Sequence, residues 1–222
     1  MFDLRCAEAI SLMRAFPDKY FNLACVDPDY QLGDKISNGG TWAAKYGKGD
    51  GDLGGKPTKE YFDELFRVSE NQIIWGGNYF LDFLPSTRCM LVWNKAQKMD
   101  TLADFEIAWT SFDENSKMYY SGRNEAEQRI HITQKPCGLY DFIFKNYAKQ
   151  GDKILDTMLG SASIALSVYK ANIKHNMDYH LTGCEISAER FEKATLRLNT
   201  FISEYSPATE QPITASGQWK LI

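Results

Sequence analysis

Apolar side chains recur near helical spacing at Leu4, Ala7, Ile10, Leu12, Met13 and Phe16, and Pro17 ends the pattern, so residues 4–16 are expected to form a first helix. The run Tyr20–Val26 is short, apolar and β-prone, and it stops abruptly at Asp27-Pro28-Asp29-Tyr30. It reads as a buried strand opening into a polar turn. From Gly33 to Gly55 the pattern is irregular, and five of the nine residues in GKGDGDLGG (47–55) are glycine, which leaves either an active-site loop or slack chain. Residues 58–69 return to helical spacing, with Tyr61, Phe62, Leu65 and Phe66 on one face. Strands follow at Gln72–Trp75 and Cys89–Trp93, separated by Gly76-Gly77-Asn78. The pattern over 105–120 is β-prone and aromatic without fixing an element type.

The second half alternates again. A helix is expected near 136–149, a strand at Lys153–Leu155, a glycine turn at Gly160, a helix near 161–172, a strand at Tyr179–Cys184 and a helix from about Ala188 to Asn199. Such alternation across both halves predicts an α/β domain built on a doubly wound, mostly parallel sheet. Beyond Ser206, the prolines Pro207 and Pro212 mark an irregular tail.

The 222 residues suffice for one large domain, and 44% hydrophobic with 24% charged residues is an ordinary folded composition. No apolar run reaches the ~18 residues of a membrane span. The N-terminal pattern mixes acids and bases, unlike a signal peptide, so the expectation is a cytoplasmic protein without membrane partners. Five cysteines without a CxxC pair, and three histidines without ligand-like spacing, point to reduced thiols and no metal site. The net charge of −4 excludes a globally basic nucleic-acid coat protein but leaves a local basic cleft open.

Candidate chemistry gathers at two strand tips. One is Asp27-Pro28-Asp29-Tyr30; the other is the turn from Asp156 to Ser163, with Glu185 ending the next strand. In doubly wound sheets, ligands bind beyond the carboxyl ends of the strands, where the strand order reverses. A strand, a turn at Gly160, a helix start and an acid on the following strand suit a nucleoside-bearing cofactor. The late segment carries one glycine and no GxGxxG, which disfavours a dinucleotide there, and the chain has no GxxxxGK[ST], which excludes a P-loop. Each residue also has a plainer role: Asp27 as a turn cap, Lys135 as a solvated charge, Glu185 as a carboxylate at a helix start.

The joint order of motifs resembles the β-class amino-methyltransferases of DNA, in which a DPPY-type catalytic motif precedes the cofactor motifs. VDPDY (26–30) is similar to the catalytic motif, the segment from 131 to 169 to a TQKP motif joined to the cofactor glycine loop, and GCEISAERFEKA (183–194) to the acid-ended strand with its helix. IIWGGNYF (73–80), LVWNK (91–95) and FEIAWTSF (105–112) resemble the small phage- and prophage-type adenine methyltransferases. The resemblance covers roughly residues 20–200. It implies a Rossmann-like sheet with circularly permuted motif order in one domain over 1–222, with a catalytic half (18–95), a short recognition-like insert (96–130), a cofactor-binding half (131–200) and a tail (206–222).

It further implies S-adenosylmethionine as cofactor, double-stranded DNA as partner and the exocyclic amine of a flipped-out adenine as methyl acceptor. Asp27, Pro28, Asp29 and Tyr30 are then the catalytic group, with Tyr30 as a stacking face for the base. Thr133, Lys135 and Pro136 pack beside the cofactor, Asp156, Thr157, Gly160 and Ser161 line its methionine part, and Glu185 holds the ribose hydroxyls. Cytosine-N4 methylation follows the same motif order. A non-catalytic DNA-binding relic and a protein-amide methyltransferase are the other classes, and a homodimer is left open.

This chain departs from the motif at Asp29, where a second proline is usual, in Gly160-Ser161-Ala162-Ser163, where Gly-Ser-Gly is common, and at Ser187, where an acid is frequent. About 37 residues separate Trp93 from the TQKP segment, too few for a recognition domain of about 50 or more, so specificity is expected to be short or relaxed, or to require a second subunit. Lys45, Lys48, Lys56, Lys59, Lys95, Lys98, Arg123 and Arg129 are candidate phosphate contacts or scattered solvated charges.

Overall fold

The computed structural model describes residues 1–29, 55–96, 103–122, 130 and 134–205. Its elements are β1 (Phe2–Cys6), α1 (Ala9–Arg14), β2 (Phe21–Val26), α2 (Lys59–Val68), β3 (Ser69–Trp75), β4 (Met90–Asn94), β5 (Phe105–Thr110), β6 (Lys117–Tyr120), α3 (Cys137–Tyr147), β7 (Lys153–Asp156), α4 (Ser163–His175), β8 (His180–Glu185) and α5 (Ala188–Glu204). The strands form one sheet in the order β1-β8-β7-β2-β3-β5-β4-β6. Among the described strands only β5 runs against the others, pairing antiparallel with both β3 and β4.

Successive side chains of a strand point to opposite faces, so a strand buried on both sides must be apolar throughout. β2 meets that demand. Leu23 and Cys25 join the core under α3, α4 and α5, whereas Phe21, Ala24 and Val26 join the core under α1 and α2. The α2 stripe named from periodicity supplies Tyr61, Phe62 and Leu65 to that second core.

The sequence order reverses between β2 and β7. From β2 the chain builds outward through β3, from β7 through β8, and the two strands pair in register at Leu23 with Ile154 and Ala24 with Leu155. The carboxyl ends of β2 and β7 therefore lie side by side, which brings Asp27 and Asp156 to one edge of the sheet.

The expected helix over 4–16 is divided. Phe2–Cys6 is an edge strand in parallel register with Leu181–Glu185, and the helix occupies only Ala9–Arg14. Glu8 starts it, accepting the N–H groups of Ile10 at 2.8 Å and Ser11 at 2.7 Å. Local periodicity cannot register a partner strand so distant along the chain, and the Glu8 cap resets the helix start. Residues 105–120 hold β5 and β6, so this part of the recognition-like insert is hydrogen-bonded into the central sheet. The tail beyond 205 and the glycine-rich stretch up to residue 54 lie outside the described residues.

Candidate active site

At the tip of β2, Asp27 is half-buried, Pro28 buried and Asp29 exposed. Lys135, brought in by the segment ahead of α3, donates from Nζ to Oδ2 of Asp27. The other oxygen, Oδ1, is buried and has no hydrogen-bond partner among the described residues. A buried carboxylate oxygen left unpaired is costly, so this atom marks a place where a donor belongs.

Lys135 is itself buried, and its Nζ lies 3.2 Å from Oε2 of Glu106 on β5. Glu106 turns its other oxygen to Lys95, 2.8 Å away at the end of β4. The Lys135 ammonium stands 5.1 Å over the Trp75 ring, and that of Lys95 stands 5.4 Å over Trp93. Burial tends to raise the Glu106 carboxyl, but the two ammonium groups outweigh it and bring it down to about 2. At Asp27 burial wins over Lys135, and with Glu106 adding repulsion the carboxyl is raised.

On the β7 side, Asp156 is buried and its Oδ1 accepts the N–H of Met158 at 3.0 Å. Burial, reinforced by the charges of Asp27 and Glu185, pushes its carboxyl up to about 7. Thr157 shares a 2.6 Å hydrogen bond with the hydroxyl of Tyr61 on α2. The loop then turns through Gly160 at φ +52° and Ala162 at φ +58°, both left-handed, and the glycine does so without a Cβ penalty. Gly160 donates its N–H to Oε2 of Glu185 at 3.1 Å, and Ser187 donates to Oε1 at 3.0 Å. Leu159 N–H bonds the carbonyl of Cys184 at 2.8 Å, strapping the loop to β8. From α5 the buried Arg197 reaches Ser161 O at 2.6 Å and Ser163 Oγ at 3.1 Å.

These contacts place Asp27, Pro28, Lys135, Pro136, Asp156, Thr157, Gly160, Ser161 and Glu185 along adjoining strand ends and the segments that border them. Tyr30 and Thr133 lie outside the described residues, as do Lys45, Lys48, Lys98, Arg123 and Arg129. Lys95 is corrected as a phosphate contact, because it is buried on Glu106, and Lys59 is paired with Asp63 at 2.6 Å. Lys135 reaches Asp27 at the tip of β2. Sequence reasoning did not single out Glu106, Tyr61 or Arg197. The one available signal was Glu106, an acid interrupting a β-prone run.

The arrangement suits a cationic guest. Three carboxylates, Asp27, Asp156 and Glu185, are close enough for the first and last to raise the middle one, and a positive charge between them relieves that repulsion. S-adenosylmethionine carries both a sulfonium and an ammonium, and its ribose offers hydroxyl donors to the acceptor capacity Glu185 retains beyond its two backbone bonds. Among the described residues no group of His, Cys, Asp and Glu is placed to hold a metal ion. No helix among them is long and apolar enough to cross a membrane.

Comparison with solved structures gives the same architecture. M1.HpyAVI, solved as a complex with SAM, matches with a TM-score of 0.59 at 15% identity, covering 90% of this chain and 100% of its own. A putative DNA modification methylase from Thermus thermophilus, complexed with S-adenosyl-L-methionine, matches at 0.58 and 11% identity, covering 91% and 95%. PvuII DNA methyltransferase, which is cytosine-N4-specific, matches at 0.59 and 12% identity, covering 88% and 86%. At these identities the likeness is one of fold. No curated protein sequence matches the chain. The family model for N6 and N4 DNA methylases, however, spans residues 16–196, from ahead of β2 into α5, and by that match the chain belongs to the DNA methylase family.

Proposed function

We propose that this DNA methylase transfers a methyl group from S-adenosylmethionine to the exocyclic amine of adenine in a flipped-out base of double-stranded DNA. The observation that carries this reading is the buried, unpartnered Oδ1 of Asp27 beside the buried Pro28. An aromatic amine is a poor nucleophile because its lone pair is delocalised into the ring. Asp27 Oδ1 and the Pro28 carbonyl, each accepting one amine hydrogen, let the nitrogen pyramidalise and free that pair.

When bound, S-adenosylmethionine supplies a methyl group on positively charged sulfur, which an amine lone pair can take while the carbon–sulfur electron pair stays with sulfur. The chain's own part is binding, orientation and proton handling. Glu185 holds the ribose hydroxyls; Asp156, Thr157, Gly160 and Ser161 line the methionine part; Thr133 and Pro136 border it. Asp27 accepts at Oδ1 the proton that the alkylated nitrogen sheds, a task suited to a carboxyl raised above its ordinary range. Tyr30 supplies a face for the extruded base.

Incubation with labelled S-adenosylmethionine and unmethylated duplex DNA, followed by digestion to nucleosides, tests the reading. N6-methyladenine is the expected product. N4-methylcytosine contradicts the choice of base while keeping the amine chemistry, and absence of transfer by a cofactor-bound enzyme contradicts both.

A further inference from the structure

Four charged side chains from four segments form one chain through the sheet: Lys95 bonds Glu106 Oε1, Glu106 Oε2 faces Lys135, and Lys135 holds Asp27 Oδ2. Lys95 and Lys135 are buried, and Glu106 is three-quarters covered. Ions taken from water in this way are costly unless paired on every side, and here each interior member has two partners. The order alternates plus, minus, plus, minus. Only the last oxygen, Asp27 Oδ1, is left over, and it is the one facing no donor among the described residues.

We propose that Glu106 and Lys95 are positioning residues for the transfer step, acting through Lys135 to fix its ammonium on one oxygen of Asp27 and so present the other oxygen to the substrate amine. The proposal rests on the amine-methylation reading and deepens it. Without Glu106, Lys135 has Asp27 as its main counter-ion and draws harder on the carboxylate that the amine must use. Without Lys95, Glu106 places its full charge on Lys135 and loosens the hold on Asp27. The two substitutions therefore act on Asp27 in opposite senses, which a merely structural role for the chain would not produce.

Asp27 is faced by Lys135 ahead of α3, Glu106 on β5, Asp156 on β7, Tyr61 on α2, Tyr140 on α3, and its own neighbours Cys25 and Asp29. Of these, only Lys135 lowers its carboxyl, while Glu106 and Asp29 raise it. Glu106→Gln removes a negative charge two links along the ion chain, so the Asp27 midpoint should fall by about one pH unit. Lys95→Gln removes a positive charge and should raise it.

The test is carbon-13 NMR titration of the Asp27 carboxyl in the full chain, assigned by its loss in Asp27→Asn, together with the pH dependence of kcat for methyl transfer to duplex DNA. The expected result is a lower midpoint and acid limb in Glu106→Gln, a higher one in Lys95→Gln, and kcat reduced about tenfold in Glu106→Gln with an unchanged Kd for S-adenosylmethionine. Midpoints that stay put, or move in the same direction, overturn the proposal. Should Glu106→Gln not fold, Lys95→Gln decides by the sign of its shift. The NMR midpoint needs no turnover, so midpoints that move as stated in a chain that methylates no DNA uphold the charge chain and defeat the functional reading instead.

Discussion

Glu185 receives the backbone N–H of Gly160 on Oε2, so the acid at the end of β8 and the glycine of the β7 loop, 25 residues apart, are locked together at 3.1 Å. The bond fixes the carboxylate's orientation ahead of any ligand, and the Ser187 N–H on Oε1 fixes it a second time. A preoriented acceptor loses less entropy on binding a ribose than a free one does. Glu185→Ala strips an acceptor from both N–H groups and should weaken S-adenosylmethionine binding by about 10- to 100-fold, with a loss of about 1–3 kcal/mol in stability. Isothermal titration and urea unfolding check the two effects separately, and Glu185→Gln, which keeps one acceptor oxygen, should fall between.

Asp156 gives a pH signature. Its carboxyl is raised to about 7 in the folded chain by burial first and by neighbouring acids second, whereas an unfolded aspartate titrates near 3.8. The folded state therefore holds a proton that the unfolded state releases. Stability from this group is complete below about pH 4 and is lost as pH rises through about 7, by up to about 4 kcal/mol. Cofactor affinity should run the other way, rising across pH 6 to 8 as the carboxylate a cation prefers becomes populated. Asp156→Asn should flatten both trends, as seen in unfolding and binding measured at pH 5.5 and 8.

Asp29 is exposed beside Asp27, and on the proposed reading its charge lies where it would repel an approaching phosphate backbone. Asp29→Asn should tighten DNA binding about two- to fivefold at low salt, and the gain should disappear at high salt as screening removes the repulsion. Asp29→Pro should keep the fold and raise methyl transfer, since a proline restricts the backbone next to the Pro28 carbonyl. Fluorescence anisotropy over a salt series, with turnover on duplex DNA, measures both.

Gly77 is required by packing. A Cβ there would stand 2.5 Å from Cβ of Trp109 and 2.9 Å from its backbone nitrogen, neither of which can swing away. Gly77→Ala should cost more than about 2 kcal/mol and displace the turn after β3, measurable as a lowered Tm.

Much of this was legible from residues alone. β2 announced itself because a strand covered on both faces must be apolar at every position, and the polar turn after it had to emerge at a sheet end. The Gly160 turn and Glu185 were legible for a similar reason: a left-handed backbone and an acid ending a strand are local signals. Glu106 was not, because its meaning depends on Lys135 and Lys95, which reach it from other elements. β1 was missed because Leu4 fits a helical stripe as well as it fits an edge strand, and only the pairing of Phe2–Cys6 with β8 decides between them. Arg197 likewise reads as one more polar residue on α5 until the fold places it under the Ser161 carbonyl.

The central claim is that Asp27 activates the acceptor amine without holding the cofactor. Single-turnover methyl transfer to duplex DNA by the parent chain and by Asp27→Ala, with the Kd for S-adenosylmethionine measured on both, tests it most directly. The account predicts a loss of about 1,000-fold or more in transfer, with Kd changed by less than about threefold. Transfer by Asp27→Ala at the parent rate would contradict it.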